Sequence, residues 1–200
     1  SASVPFDRNR MFSTLLRDRE GDLWLGAFDA GYHISFCPEE LSGHSLPFIK
    51  ETLGFDTNIN CMYEDVGGVL WFNQERNGIG LYAPDSGTYN LHPYSQKRNV
   101  EVNLIARSRF PNTVWIASAF VPTVFRAQRQ GMDIRFTDTL LLAHDGAETG
   151  HVTGMLEDPA GRLWVMTERK LFVFKPDGHP LAAVTNLCLL YTSPSPRDCS

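Results

Sequence analysis

The sequence predicts an all-β protein built from four repeats, and three observations support this fold class. Tryptophan recurs at intervals of 47, 44 and 49 residues, at Trp24, Trp71, Trp115 and Trp164. A turn-forming phrase precedes each tryptophan. The segments around it are short and rich in β-branched and aromatic residues, and they lack the 3.6-residue period of an amphipathic helix. A period of 44 to 49 residues is typical of proteins in which one supersecondary unit recurs.

The composition narrows the classes of function. The chain has 200 residues, of which 42% are hydrophobic and 12% aromatic, enough for a sizeable core. Its net charge of −5 and the lack of a basic run disfavour nucleic-acid binding, which needs Lys and Arg facing phosphates. No apolar stretch approaches the roughly 18 residues of a membrane span, and no apolar signal segment opens the chain. We therefore expect no nucleic-acid partner and no membrane contact in this segment.

The four cysteines give no metal-binding pattern. None forms a Cys-x-x-Cys pair, and no histidine follows them at zinc-site spacing. We interpret them as free structural thiols and expect neither a metal site nor a cofactor. They are Cys37, Cys61, Cys188 and Cys199.

A tight turn is predicted before each tryptophan. In three repeats an aspartate stands six residues before the tryptophan and a glycine three before it, at Asp18 and Gly21, Asp65 and Gly68, and Asp158 and Gly161. The carboxylate accepts backbone N–H bonds at the start of such a turn, and glycine takes the positive φ. In the third repeat Ser108 and Asn112 take these places with one residue inserted, and asparagine tolerates the left-handed region.

Each repeat contains segments for four short antiparallel strands. An apolar segment precedes the turn (11–16, 59–63, 102–106, 152–156), and the tryptophan strand follows it. A third segment comes at 31–36, 78–84, 123–128 and 170–176, and a weaker fourth at 88–94, 134–140 and 180–184. Four strands in about 45 residues make the blade of a β-propeller. We assign the tryptophans to packing between blades.

These segments predict an arc of four four-stranded blades within a larger propeller of about seven blades. The blades span about 10–57, 58–100, 101–150 and 151–185. Four blades are at the low end of the usual range of about 4–8 for closure. Residues 186–200 break the repeat. We interpret them as an artefactual sequence, and the alternative is a native flexible linker.

The fullest repeats resemble the two-component regulator propeller repeat. They are MLEDPAGRLWV (155–165), MYEDVGGVLWF (62–72) and LLRDREGDLWLG (15–26). The small residues that follow the tryptophan strand in that family are less regular here, and the third repeat departs most. Aspartate stands five residues before tryptophan in the sialidase-type Asp-box, and WD-repeats need aspartate after tryptophan, so neither pattern fits.

The resemblance implies a functional setting. Such repeats form the periplasmic sensor region of large bacterial hybrid histidine kinases, where further blades complete the propellers. The ligands of these sensors are often oligosaccharides. The resemblance therefore implies a periplasmic location, the remaining blades as partners, a possible homodimer in the parent protein and a kinase domain elsewhere in it.

Ligand contacts are expected where the repeats differ. One propeller face carries the loops between second and third strands (28–31, 75–77, 120–122, 168–170) and those between blades (41–57, 95–101, 143–151). Small polar residues also begin the innermost strands, among them Ser13, where they either line the central channel or satisfy local backbone groups. The ligand-binding candidates are Asn60, Glu75, Arg76, Asn103, Phe120, Thr153 and Arg169.

Two alternatives to a ligand sensor stay open. No nucleophile elbow, zinc-protease helix or phosphate loop is present, so no catalytic residue is assigned. A carbohydrate-active lyase or hydrolase would need paired carboxylates on one face, such as Asp29, Glu75 and Glu168. A protein-interaction scaffold would instead present a flat apolar loop face.

Overall fold

A computed structural model describes residues 11–27, 31–36, 41–45, 58–74, 77–93, 102–118, 121–142 and 150–184. All regular elements within these ranges are β-strands. They contain no helix of the length and apolarity that a membrane crossing requires.

The strands form four antiparallel sheets, each with its four strands in chain order. Blade 1 contains β1 (Phe12–Arg17), β2 (Leu23–Ala27), β3 (Gly31–Phe36) and β4 (Leu41–Ser45). Blade 2 contains β5 (Met62–Glu64), β6 (Leu70–Gln74), β7 (Gly78–Ala83) and β8 (Thr88–Pro93). Blade 3 contains β9 (Val102–Arg107), β10 (Thr113–Ser118), β11 (Thr123–Gln130) and β12 (Asp133–Leu141). Blade 4 contains β13 (Val152–Glu157), β14 (Leu163–Thr167), β15 (Leu171–Phe174) and β16 (Pro180–Val184).

Two strands differ from the prediction. β4 occupies the beginning of the stretch 41–57, which we expected to be an inter-blade loop. Its sequence LSGHS is polar and carries little strand signal, but the backbone of β3 extends far enough to pair with it from Tyr32 to Phe36. β5 has only three residues and begins three residues later than the predicted segment 59–63.

The first strand of each blade lies at the inner edge of the arc. β1 contacts β5, β5 contacts β9, and β9 contacts β13. Two side chains bridge neighbouring inner strands: Ser13 Oγ donates to the carbonyl of Ile59, and Asn103 Nδ2 donates to the carbonyl of Val152 at 3.1 Å. The all-β propeller arc predicted from the sequence is confirmed.

The core lies between the blades. Between blades 1 and 2, Trp24 packs with Ile59, Leu70 and Phe72. Trp71 occupies the equivalent cluster between blades 2 and 3, and Trp115 the cluster between blades 3 and 4. Each of these tryptophans therefore faces the following blade, and burial of such large aromatic surfaces dominates the packing energy.

The two end blades each leave one apolar face uncovered by the described residues. Leu15 on β1 pairs with Leu25 and faces away from blade 2, with 63% of its surface exposed. Leu156 on β13 pairs with Trp164 and faces away from blade 3, with 65% exposed. The described blades thus form an open arc whose ends resemble the two halves of a blade interface.

Candidate functional site

The turn before each tryptophan is built around one acidic side chain. In blade 1, Asp18 Oδ1 accepts the backbone N–H groups of Glu20 at 3.0 Å and Asp22 at 2.8 Å. The N–H of Gly21 donates to the Asp18 carbonyl at 3.2 Å, and Gly21 has a φ of 99°. The same turn recurs at Asp65 and at Asp158, with glycines at φ of 76° and 79°.

The second carboxylate oxygen of each aspartate binds the tryptophan of its own repeat. The indole Nε1–H donates to Oδ2 over 2.8 Å for Trp24 and Asp18, 3.0 Å for Trp71 and Asp65, and 3.0 Å for Trp164 and Asp158. This bond was not predicted from the sequence. The signal was the constant spacing of six residues, which places the turn carboxylate above the indole edge.

Blade 3 obtains its carboxylate from blade 4. The indole of Trp115 donates to Glu157 Oε2 at 2.7 Å, and Ser108 Oγ donates to the same oxygen at 2.8 Å. The backbone N–H of Arg109 reaches it at 3.2 Å. Asn112 stands where the other turns have glycine and has a φ of 53°, in the left-handed region that asparagine tolerates.

Arginines connect the turns across the blade junctions. Arg19 of blade 1 pairs with Glu64 of blade 2 at 3.5 Å, and Arg109 of blade 3 pairs with Glu157 of blade 4 at 3.2 Å. Arg129 of blade 3 donates through Nε to Asp65 Oδ2 of blade 2 at 2.6 Å. All three junctions between the described blades therefore combine an apolar core with an ion pair at the turn.

Two turn glycines also make room for these arginines. A Cβ at Gly68 would clash with the Arg19 guanidinium, and a Cβ at Gly161 would clash with that of Arg109. Glycine is needed there for its positive φ and for the space above it.

The carboxyl groups of Asp65 and Asp158 are held in their charged form. Burial raises the pKa of Asp65, but hydrogen bonds from Arg129, Trp71 and Val69 outweigh it and hold the pKa below its ordinary value. The indole N–H of Trp164, together with Arg162, lowers the pKa of Asp158 to about 2. Glu64 differs, since burial raises its pKa above the ordinary value.

The predicted channel residues serve in part as backbone partners. Asn60 is exposed at the inner edge, and Asn103 bridges to blade 4 through Nδ2 while its buried Oδ1 has no partner in the described part of the chain. Thr153 is exposed and donates to the carbonyl of Met166 at 3.4 Å. Backbone satisfaction thus accounts for one bond each of Asn103 and Thr153, and none of the described residues makes a hydrogen bond to the Asn60 side chain.

Most of the predicted loop face lies outside the described residues. Glu75, Arg76 and Phe120 are among the residues not described, as are Asp29, Cys37, Cys188, Cys199 and residues 186–200. Arg169 is described and exposed, in the turn between β14 and β15. The adjacent N–H of Glu168 donates to the His151 carbonyl at 3.1 Å, so this turn lies at the same end of the blade as the start of β13.

The described thiol is Cys61, which is buried and free. Burial raises its pKa to about 12, so it stays protonated at neutral pH. It packs in the core between blades 2 and 3.

Comparison with known proteins connects this turn to a family. The model of the two component regulator propeller matches residues 146–169, which include Asp158, Gly161 and Trp164 of blade 4. Residues 146–169 carry the two-component regulator propeller repeat. The resemblance drawn from the sequence is therefore confirmed, and Asp18 and Asp65 head turns of the same build in blades 1 and 2. The chain matches no curated protein.

Solved structures share the fold of this chain. The extracellular domain of a protein described as a hybrid two component system of B. thetaiotaomicron is 18% identical, with a TM-score of 0.62 over 88% of this chain and 22% of that chain. A gluconolactonase from Xanthomonas campestris is 15% identical, with a TM-score of 0.62 over 87% of this chain and 62% of that chain.

The mitotic checkpoint complex contains a chain 12% identical, with a TM-score of 0.63 over 93% of this chain and 61% of that chain. The segment thus spans less than two thirds of these neighbours, and identities this low establish the propeller fold alone.

Proposed function

We propose that this chain is part of the extracytoplasmic, ligand-sensing propeller of a two-component regulator, and that its ligands are oligosaccharides. The observation that carries the proposal is the arc of four four-stranded blades, of which blade 4 contains the family repeat. A similar extracellular propeller in a protein described as a hybrid two component system supports it. On this proposal the segment lies in the periplasm, and further blades complete the ring.

The division of roles within a blade also supports the proposal. At one end of the blades, arginines connect neighbouring blades through ion pairs with the buried carboxylates of Glu157 and Asp65, so that end provides rigidity. At the other end, the turn containing Arg169 and the start of β13 present exposed polar groups. Binding residues commonly lie on varied loops over a rigid frame.

Sugar recognition fits the residues at this end. Arg169 offers N–H donors, and the hydroxyl of Thr153 and the amide of Asn60 offer both donors and acceptors for sugar hydroxyls. Glu75, Arg76 and Phe120 belong to the same set by their sequence positions. An aromatic face beside such polar groups suits the C–H surface and the hydroxyl rim of a sugar ring.

Calorimetric titration of the complete sensor region with a panel of oligosaccharides tests this proposal. We expect saturable binding of at least one oligosaccharide, weakened roughly tenfold by Arg169→Ala, since a charge-assisted hydrogen bond contributes about 1.5 kcal/mol or more. The matched control is Arg135→Ala on outer strand β12, also exposed, which leaves affinity unchanged.

Three results would count against the proposal. The absence of any oligosaccharide binder removes the sugar assignment. Equal affinity of Arg169→Ala and wild type removes the assigned site. Release of a cleaved product during the titration replaces the sensor with the carbohydrate-active enzyme.

A further inference from the structure

The turn of blade 1 differs from the other three in the group facing its carboxylate. Asp65 Oδ2, which holds an indole, also accepts Arg129 Nε at 2.6 Å, and Asp158 Oδ2 also accepts Arg162 Nε at 2.7 Å. In blade 3 the indole-bound carboxylate of Glu157 faces Arg109. A guanidinium cation therefore completes the carboxylate–indole pair in blades 2, 3 and 4.

Blade 1 places a second carboxylate and an imidazole at this position. Asp22 stands two residues before Trp24, where blade 4 has Arg162 two residues before its tryptophan. His33 is directly opposite Trp24 in the β2–β3 pairing and stacks on the indole, with ring centroids 4.1 Å apart. His33 Nε2 lies 2.9 Å from Asp22 Oδ2.

These side chains bring three potential metal ligands together. One atom each from Asp18, Asp22 and His33 lies within 4.8 Å of the others. In the described part of the chain, Asp18 accepts two backbone N–H bonds and the indole N–H, and no arginine or lysine pairs with it. These bonds use three of about four acceptor positions on a carboxylate. One position is therefore left for the cation that the other turns obtain from arginine.

We propose that Asp18, Asp22 and His33 bind a divalent transition-metal ion, with Zn²⁺ as the ion that suits this ligand set. Imidazole and carboxylate are common zinc ligands, at bond lengths of about 2.0–2.2 Å. Adjacent ligand atoms at such bond lengths lie about 3 to 3.5 Å apart, so the 2.9 Å between His33 and Asp22 needs little adjustment. Water completes the coordination.

The surroundings hold the ligands in place before the ion arrives. Asp18 is oriented by its turn and by the indole N–H, and His33 is fixed on β3 by its stack on Trp24. The side chains of Asp22 and His33 are 22% and 23% exposed, which leaves an entry path for the ion. Such ordered neighbours raise metal affinity, because little freedom is lost on binding.

Calorimetric titration of the chelator-treated chain with Zn²⁺ tests the proposal. We expect one site that His33→Ala weakens at least about tenfold. Asp22→Arg rebuilds the arrangement of Arg162 in blade 4 and is expected to abolish the site without loss of β-sheet circular dichroism. His179→Ala removes an exposed histidine far along the chain in blade 4 and leaves the site intact.

A spectroscopic measurement distinguishes metal binding at this site from metal binding by the thiols or by the other histidines of the chain. Cu²⁺ bound next to the His33–Trp24 stack quenches the fluorescence of Trp24, a fraction of the signal from four tryptophans. If His33→Ala does not fold, Asp22→Asn serves as the second variant. It preserves the size of the side chain and is expected to remove this quenching. Equal Zn²⁺ affinity and equal quenching in the wild-type chain and these variants would overturn the proposal, as would the absence of saturable binding.

Discussion

At the turns before Trp71 and Trp115 a carboxylate accepts the indole N–H, but the two carboxylates come from different blades. In blade 2 the carboxylate is local, since Asp65 lies six residues before the indole it binds. In blade 3 the local residue is Ser108, and Glu157 of the next blade binds the indole from 42 residues away. Both indoles are buried, so both N–H groups require an acceptor.

Both repeats therefore keep the hydrogen bond between indole and carboxylate, although the residue that supplies the carboxylate differs. A local aspartate stabilises mainly the turn of its own blade. An acceptor supplied by the following blade makes the turn of blade 3 depend on the docking of blade 4. Three sets of variants and one pH series test this contrast, in order of decreasing effect.

Loss of the local carboxylate is expected to have the largest effect. Asp65→Ala leaves the indole of Trp71 and the mostly buried guanidinium of Arg129 without their acceptor. We expect the free energy of unfolding to fall by about 3–5 kcal/mol, measured by urea denaturation. The exposed Asp85→Ala, in the turn between β7 and β8, serves as control and should change it by about 0.5 kcal/mol or less. Similar losses in both variants would contradict this assignment.

Loss of the carboxylate that blade 4 supplies is expected to be partly compensated by a new carboxylate in the turn of blade 3. Glu157→Ala should lower the free energy of unfolding by about 2–3 kcal/mol, because Trp115 and Arg109 lose their acceptor. Ser108→Asp is expected to destabilise the wild-type chain, since it places a second carboxylate beside Glu157, where Ser108 Oγ now donates to Oε2 at 2.8 Å. In the Glu157→Ala background the same change should recover about 1 kcal/mol. An effect of the same sign in both backgrounds would refute the exchange of carboxylates.

The junction arginines are expected to add to the cost of altering a turn glycine. Gly68→Ala forces alanine to a φ of 76° and displaces the Arg19 guanidinium, so we expect a loss of about 2 kcal/mol. Gly87→Ala has a φ of 65° with nothing within 4 Å of the new Cβ and should cost about 1 kcal/mol. Thermal denaturation measures both, and equal losses would mean that Arg19 moves aside freely.

Acid is expected to weaken the turns with local aspartates gradually. The pKa of Asp158 is about 2 in the folded chain, and that of Asp65 is also lowered. Their stabilising contribution is therefore complete above the unfolded pKa of about 3.9, and it is lost as pH falls towards the folded pKa. Urea denaturation between pH 5 and 2.5 should show this decline, with a smaller slope in Asp65→Asn. An unchanged slope in that variant would contradict the assignment.

Much of the frame could be predicted because it depends on short segments. The spacing of Asp, Gly and Trp predicted the turns. Short apolar segments separated by turn residues predicted most of the strands. β4 was missed because its polar sequence becomes a strand only through pairing with β3. Four of the candidate ligand residues lie within the described ranges. Asn60, Asn103 and Thr153 lie at the inner edge of the arc, and Arg169 lies in the turn between β14 and β15. Their role in binding stays a prediction.

The sequence was enough to predict the repeat and the chemistry of the three turns that carry a local aspartate, because aspartate, glycine and tryptophan lie within six positions of one another. The large apolar surface of tryptophan predicted its packing between blades. Which cation and which carboxylate meet at each turn depends on how the strands and blades dock. Arg129 reaches Asp65 across 64 residues, and His33 reaches Asp22 from a neighbouring strand. Such pairs form only after the strands and blades have docked, because long side chains then find the nearest opposite charge in space rather than along the chain.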